Sequence, residues 1–256
     1  MPAKDIDSKT NERGMRRLMI IGPPTGRKTT ALLTLPHPLL VEGCPGEKNT
    51  FVVPNAEARR VRMWEPVDYS IDMKWNPVWD EWKQETALAL SGKLGAYRTV
   101  VFDGAHKVFD LVLRAARQSC VTKSGEVDGM RAWVKAHDDF LQWFSMGYYA
   151  NVEYVVWTAW SAVEKKDPTA DPNSEAGKRR VVLPDFMGRI QRTIMGEVNI
   201  VYADTYAGKA YWQIRSDEFV EGVGIRVPAD QADKLPLKIA ADWNELSKVL
   251  FPVQAS

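Results

Sequence analysis

Residues 22–30 read Gly22-Pro23-Pro24-Thr25-Gly26-Arg27-Lys28-Thr29-Thr30. Gly22, Lys28 and Thr29 match the phosphate-loop pattern G-x-x-x-x-G-K-[ST] in identity and spacing. The pattern works by geometry. Backbone N–H groups at the start of a helix surround phosphate oxygens, and the positive end of the helix dipole adds to them. On this reading residues 22–30 cradle the phosphates of ATP. Lys28 reaches the outer phosphates and serves catalysis, and the Thr29 hydroxyl ligates Mg2+. One position departs. The glycine expected before the lysine is Arg27, and a glycine stands one place earlier, at Gly26. A side chain at 27 must turn away from the phosphates or crowd them, so the departure bears on hydrolysis more than on binding. A Gly/Pro turn with no ligand is the alternative.

A second stretch carries matching chemistry. Thr99-Val100-Val101-Phe102-Asp103 is an apolar run ending in a carboxylate. A Walker B element needs that arrangement, because the carboxylate holds Mg2+ at the strand's end. Asp103 is therefore the expected partner of Thr29 at the metal. Hydrolysis also needs a carboxylate to orient water. Glu42, after Leu39-Leu40-Val41, and Glu47, in the glycine-containing stretch beyond it, are the candidates, with surface carboxylates as the alternative. His37, His106, His137, Cys44 and Cys120 share no metal-ligand spacing. No G-x-S-x-G nucleophile turn is present. Trp64, Trp75, Trp79 and Trp82 are able to stack bases, but helical spacing favours core packing.

The elements around these residues alternate. Arg17 to Ile21 reads as a buried strand, Lys28 to Leu35 as a short helix and Leu39 to Val41 as a second strand. Residues 43–75 show no clear period and carry Arg59, Arg60 and Arg62. A helix over 76–92 follows, then a strand from Tyr97 to Phe102, a helix from Val108 and another carrying Trp133 to Tyr148. Val152 to Trp160 reads as a strand, and 161–180 as a long polar loop of the kind that is functional or mobile. A helix over 184–195, a strand over 198–204, hairpins over 205–227 and a helix over 240–250 complete the chain. This order predicts an α/β fold with a mostly parallel sheet, helices on both faces and an antiparallel edge extension. The expected division is a flexible arm over 1–16, a core over 17–230 and a helical tail over 231–256.

Composition sets outer limits. The 256 residues carry 34 basic and 33 acidic side chains, a net charge of +1. That balance excludes a uniformly basic nucleic-acid coat but leaves room for a local basic patch. The two cysteines fit a reducing compartment. No apolar stretch is long enough to span a bilayer and Met1 to Arg17 lacks a signal-peptide core, so a cytoplasmic protein with no membrane association is expected.

With these residues in place, the chain resembles RecA-like ATPases, in particular the phage-encoded nucleotide-binding proteins that include single-strand annealing recombinases. The resemblance rests on Gly22-Pro23-Pro24, Pro38-Leu39-Leu40-Val41, Val100-Val101-Phe102-Asp103, Thr158-Ala159-Trp160-Ser161 and Pro184-Asp185-Phe186-Met187-Gly188, and spans roughly residues 17–230. It departs at Arg27 and at Trp160-Ser161, which replace the cradle glycine and a polar sensor pair and leave Thr158 near the strand end. The resemblance implies a RecA-like P-loop core binding ATP and Mg2+, working on single-stranded DNA in phage recombination or annealing inside the host cytoplasm. It implies a homo-oligomer that meets a single-strand binding protein. Loop 161–180 would then be the DNA-binding loop, with Lys165, Lys166, Lys178, Arg179 and Arg180 on the phosphates, against a solvated surface loop as the alternative. Arg189 and Arg192 would act in trans on a neighbour's nucleotide. A degenerate module that binds without hydrolysis stays open, and a small-molecule phosphotransferase would need a lid or acceptor site that no segment suggests.

Overall fold

The computed structural model describes residues 16–24, 27–44, 59–63, 74–186, 190–206, 208–218, 220–227 and 229–251. Two compact units divide the chain: His37–Trp157, and Met1–Pro36 together with Thr158–Ser256. Glu47 and Trp64 lie outside the described residues.

The unit over His37–Trp157 is built on parallel strands. β2 (Leu39–Gly43) pairs with β3 (Arg59–Met63) on one side and β4 (Thr99–Asp103) on the other. β4 in turn pairs in parallel with the first residues of β5 (Tyr154–Lys165). Strands buried on both faces read as unbroken apolar runs, and Leu39, Leu40, Val41, Val100, Val101 and Val155 have no exposed surface. The helices are α2 (Trp75–Leu90), α3 (Ala105–Ser119) and α4 (Gly129–Ser145), followed by a 3-10 turn over Met146–Tyr149.

Aromatic side chains fill this core. Phe144 stacks on Trp157 with centroids 4.4 Å apart, and Phe102 meets Trp143 edge-on at 5.6 Å. A Cβ on Gly147 would fall on the Trp157 ring, so a side chain there would displace the aromatic stack. Trp75, Trp79 and Trp82 are all buried, which sets them in the core and not on a base-stacking surface. Trp143 satisfies its indole N–H by donating to Thr86 Oγ1 at 2.9 Å, deep between α2 and α4. Cys44 and Cys120 are buried thiols with no disulfide.

The other unit carries β1 (Arg17–Gly22) and α1 (Lys28–Leu32), then the rest of β5, α5 (Glu175–Lys178), β6 (Arg180–Pro184), α6 (Ile190–Met195), β7 (Asn199–Tyr206), β8 (Lys209–Gln213), β9 (Val220–Glu221), α7 (Ala229–Ala232), β10 (Lys238–Ala240) and α8 (Trp243–Leu250). β1 and β7 are parallel, with Ile21 opposite Tyr202. β8 adds to β7 as an antiparallel hairpin, and β10 adds to β8 antiparallel. This is the expected antiparallel extension, lengthened by a strand, β10, that the sequence pattern did not mark. The start of α8 is held to the turn after α1 by a bond from Trp243 N to Thr34 Oγ1 at 2.9 Å.

Segment 161–180 differs most from its sequence reading. β5 continues to Lys165 and pairs antiparallel with β6, from Ser161 opposite Pro184 to Lys165 opposite Arg180. Thr158 is therefore buried within a strand and does not end one. The polar side chains hid the strand because a solvated strand keeps its ladder through the backbone whatever its exposed face carries. The expected helix over 184–195 is likewise shorter. Residues up to Pro184 belong to β6, and α6 begins at Ile190. Among the described residues no helix is long and apolar enough to cross a membrane.

Replacing Thr86 by Val should leave the Trp143 indole N–H buried without its acceptor, at a cost of about 1–3 kcal/mol. Urea unfolding followed by tryptophan fluorescence checks this, and a midpoint equal to that of the unmodified chain would contradict it.

Candidate nucleotide-binding site

The phosphate loop leaves β1 at Gly22. A Cβ there would fall on the carbonyl oxygen of Ala203 in β7, so glycine is required for the two parallel strands to stay together at this point. α1 closes its first intrahelical bond from Ala31 N to Arg27 O at 3.2 Å. The amides of its first turn must then find acceptors outside the helix, as a phosphate loop requires. Lys28 is 8% exposed, and its ammonium donates to the carbonyls of Gly22 at 3.0 Å and Pro23 at 2.7 Å. The lysine thus folds back over the start of the loop from the first helical residue.

Arg27 resolves the departure seen in the sequence. It has φ of 52°, the left-handed conformation that favours glycine, and its side chain is exposed. The backbone takes the form a glycine would take there, and the guanidinium turns outward. The arginine adopts this backbone conformation at a cost of about 1–2 kcal/mol.

In the unit over His37–Trp157, Asp103 ends β4 and is 4% exposed, with its backbone carbonyl accepting from Cys44 N at 2.8 Å. Glu42 is 1% exposed, so it is not a surface carboxylate. Because β2 and β4 are parallel, both residues lie at the carboxyl edge of the sheet, where open α/β sheets bind ligands. The register sets Glu42 opposite Phe102 and Gly43 opposite Asp103. Alternation therefore sends Glu42 toward the Phe102 face and Asp103 toward the other. His106 is buried in the first turn of α3, after Gly104 in a left-handed conformation. Among the described residues no cluster of His, Cys, Asp and Glu is arranged to hold a metal by itself.

The basic residues of 161–180 are gathered by the β5–β6 hairpin. Lys165 is opposite Arg180, and Lys166 N donates to Arg179 O at 3.1 Å, one rung further. Lys178 ends α5. The connection is closed by its own polar groups. The Asp167 carboxylate accepts from the Thr169 hydroxyl and amide, which hold it below the usual carboxylate range. Asp171 accepts from Asn173 N, Ser174 caps α5 by accepting from Gly177 N, and a Cβ on Gly177 would fall on the Asp171 carbonyl. Arg180 donates to the carbonyls of Gly177 at 2.6 Å and Arg179 at 3.0 Å. Lys166 pairs with Glu221 of β9. Glu221 is 55 residues away and carried no local signal in the sequence. Arg192 is exposed on α6, and Arg189 lies outside the described residues.

A mixed α/β fold whose first strand runs through a phosphate loop into a helix defines a P-loop NTPase-type, nucleotide-binding domain. A family model described as an AAA domain matches residues 15–221, from before β1 to Glu221, and the chain belongs to that family. No curated protein matches the chain.

Two substitutions test the loop geometry by thermal unfolding. Arg27→Gly should raise stability by about 0.5–1 kcal/mol, the relief of the left-handed strain less the added freedom of the unfolded chain. Gly22→Ala should lower it by about 1–3 kcal/mol, because β1 and β7 must move apart to admit a methyl group.

Proposed function

We propose that this chain is a RecA-like ATPase that binds ATP with Mg2+ and acts on single-stranded DNA, in phage recombination or annealing within the host cytoplasm. The observation that carries the DNA part is the hairpin ladder, which sets Lys166 beside Arg179 on one face and Lys165 beside Arg180 on the other. Phosphate contacts supply most of sequence-independent binding, so a gathered set of cations suits a strand of any sequence. In this reading residues 22–30 hold the nucleotide, Lys28 reaches its outer phosphates, and Thr29 and Asp103 ligate Mg2+. Glu42 or Glu47 orients the attacking water. Arg189 and Arg192 serve a neighbouring subunit of a homo-oligomer, and a single-strand binding protein is the natural partner on DNA. These roles follow from motif order along the chain and from the resemblance.

A second reading has a specific observation in its favour. Arg27 takes a left-handed backbone conformation with its side chain exposed, which suits a loop that binds phosphate without supplying anything to hydrolysis. The chain would then be a nucleotide- or DNA-binding module with little turnover. ATPase rates separate the two: a gain in Arg27→Gly would identify the arginine as a brake, and a basal rate unchanged at the detection limit would favour the module.

Lys28→Ala should lower affinity for ATP at least tenfold in equilibrium dialysis, and unchanged affinity would remove the cradle assignment. Binding of a labelled oligothymidylate should weaken with salt and weaken further when Lys178 and Arg179 are changed to Ala. Absence of binding at low salt would sink the DNA reading.

A further inference from the structure

The hairpin's five cations are not equivalent. Arg180 spends its guanidinium on two backbone carbonyls of its own loop, which orders the end of α5. Lys165, Lys178 and Arg179 make no ion pair among the described residues. Lys166 stands between these cases. Its ammonium reaches across β6 to the Glu221 carboxylate, and both side chains remain about two-fifths exposed.

The register explains how this pair forms. β6 lies between β5 and β9, with Val181 opposite both Glu164 and Glu221. Side chains alternate along a strand, so Val181 and Glu221 share one face of the hairpin. Lys166, one rung beyond Lys165 and two residues from Glu164, continues on that same face. Glu221 thus presents to Lys166 an anionic oxygen of the same kind that a phosphate would offer. An exposed ion pair of this kind is weak and is screened by salt, so a phosphate is able to displace it.

We infer that Glu221 is a built-in competitor for the DNA backbone: it occupies Lys166 in the absence of a strand and sets the strength of the single-strand contact. The inference rests on the DNA reading given above. It assigns Arg179, opposite Lys166 on the same face, to the standing contact and makes Lys166 the cation that is gated. A weak, displaceable hold suits a protein that must let go of one strand to pair it with another.

The test is fluorescence anisotropy of a labelled oligothymidylate with the full chain, titrated across a salt series, for Glu221→Gln, Lys166→Ala and the double variant. Each phosphate contact to a single strand adds about 0.7 to the slope of log K against log salt, so Glu221→Gln should steepen the slope by that amount and tighten binding about fivefold near 0.1 M salt. Lys166→Ala should change little when Glu221 is present and should abolish the gain in the Glu221→Gln background. That dependence separates competition from a merely structural role. An unchanged slope and affinity in Glu221→Gln, or an equal cost of Lys166→Ala in both backgrounds, would overturn the inference while leaving the DNA reading intact. Failure of every variant to bind at low salt would remove both.

Discussion

The backbone carbonyl of Ala203 stands where a Cβ on Gly22 would be. That contact fixes where β1 can end. The two parallel strands stay in register to Ile21 and Tyr202, and the chain leaves the sheet at the next residue. Everything downstream inherits this position. Lys28 is near enough to return to the carbonyls of Gly22 and Pro23, and α1 closes its first bond from Ala31 N to Arg27 O. The first glycine of the phosphate pattern is therefore a packing requirement of β1 against β7 before it is a ligand requirement.

Arg27 shows the same separation of backbone from side chain. Glycine is the residue that takes a left-handed conformation at least cost. Here an arginine adopts the conformation and carries the strain. The neighbouring bonds make the strain tolerable: Ala31 N holds the Arg27 carbonyl, and the Lys28 ammonium ties the helix start to the strand end. The left-handed backbone at this position is thus taken by a residue that the sequence pattern alone would count as a defect.

In the β5–β6 hairpin the order of effects is reversed, and charge follows from the ladder. Two basic stretches about fifteen residues apart meet because Ser161 to Lys165 pairs with Arg180 to Pro184. The loop between them is closed by Asp167, Asp171 and Ser174 acting on nearby amides, which is why these polar residues sit there. Asp167 and Asp171 are thus engaged in turns, and the carboxylate that does meet a lysine, Glu221, comes from a distant strand.

Local pattern was enough to find the phosphate loop, the Asp103 strand, the buried strands and the amphipathic helices, because each is a short-range arrangement of residue types that the backbone must honour wherever it goes. It also placed Trp75, Trp79 and Trp82 in the core. It did not reveal β10, the strand character of 161–165, the burial of Glu42, or the pairing of Lys166 with Glu221. Those depend on which strands become neighbours, and a three-residue strand or a polar ladder has no period that survives without its partner. The sequence determined which residues carry cationic side chains and where the phosphate-loop pattern falls. The tertiary structure decided which of them are held by carbonyls, which are held by a carboxylate and which face solvent, because strand pairing joins residues that are distant along the chain.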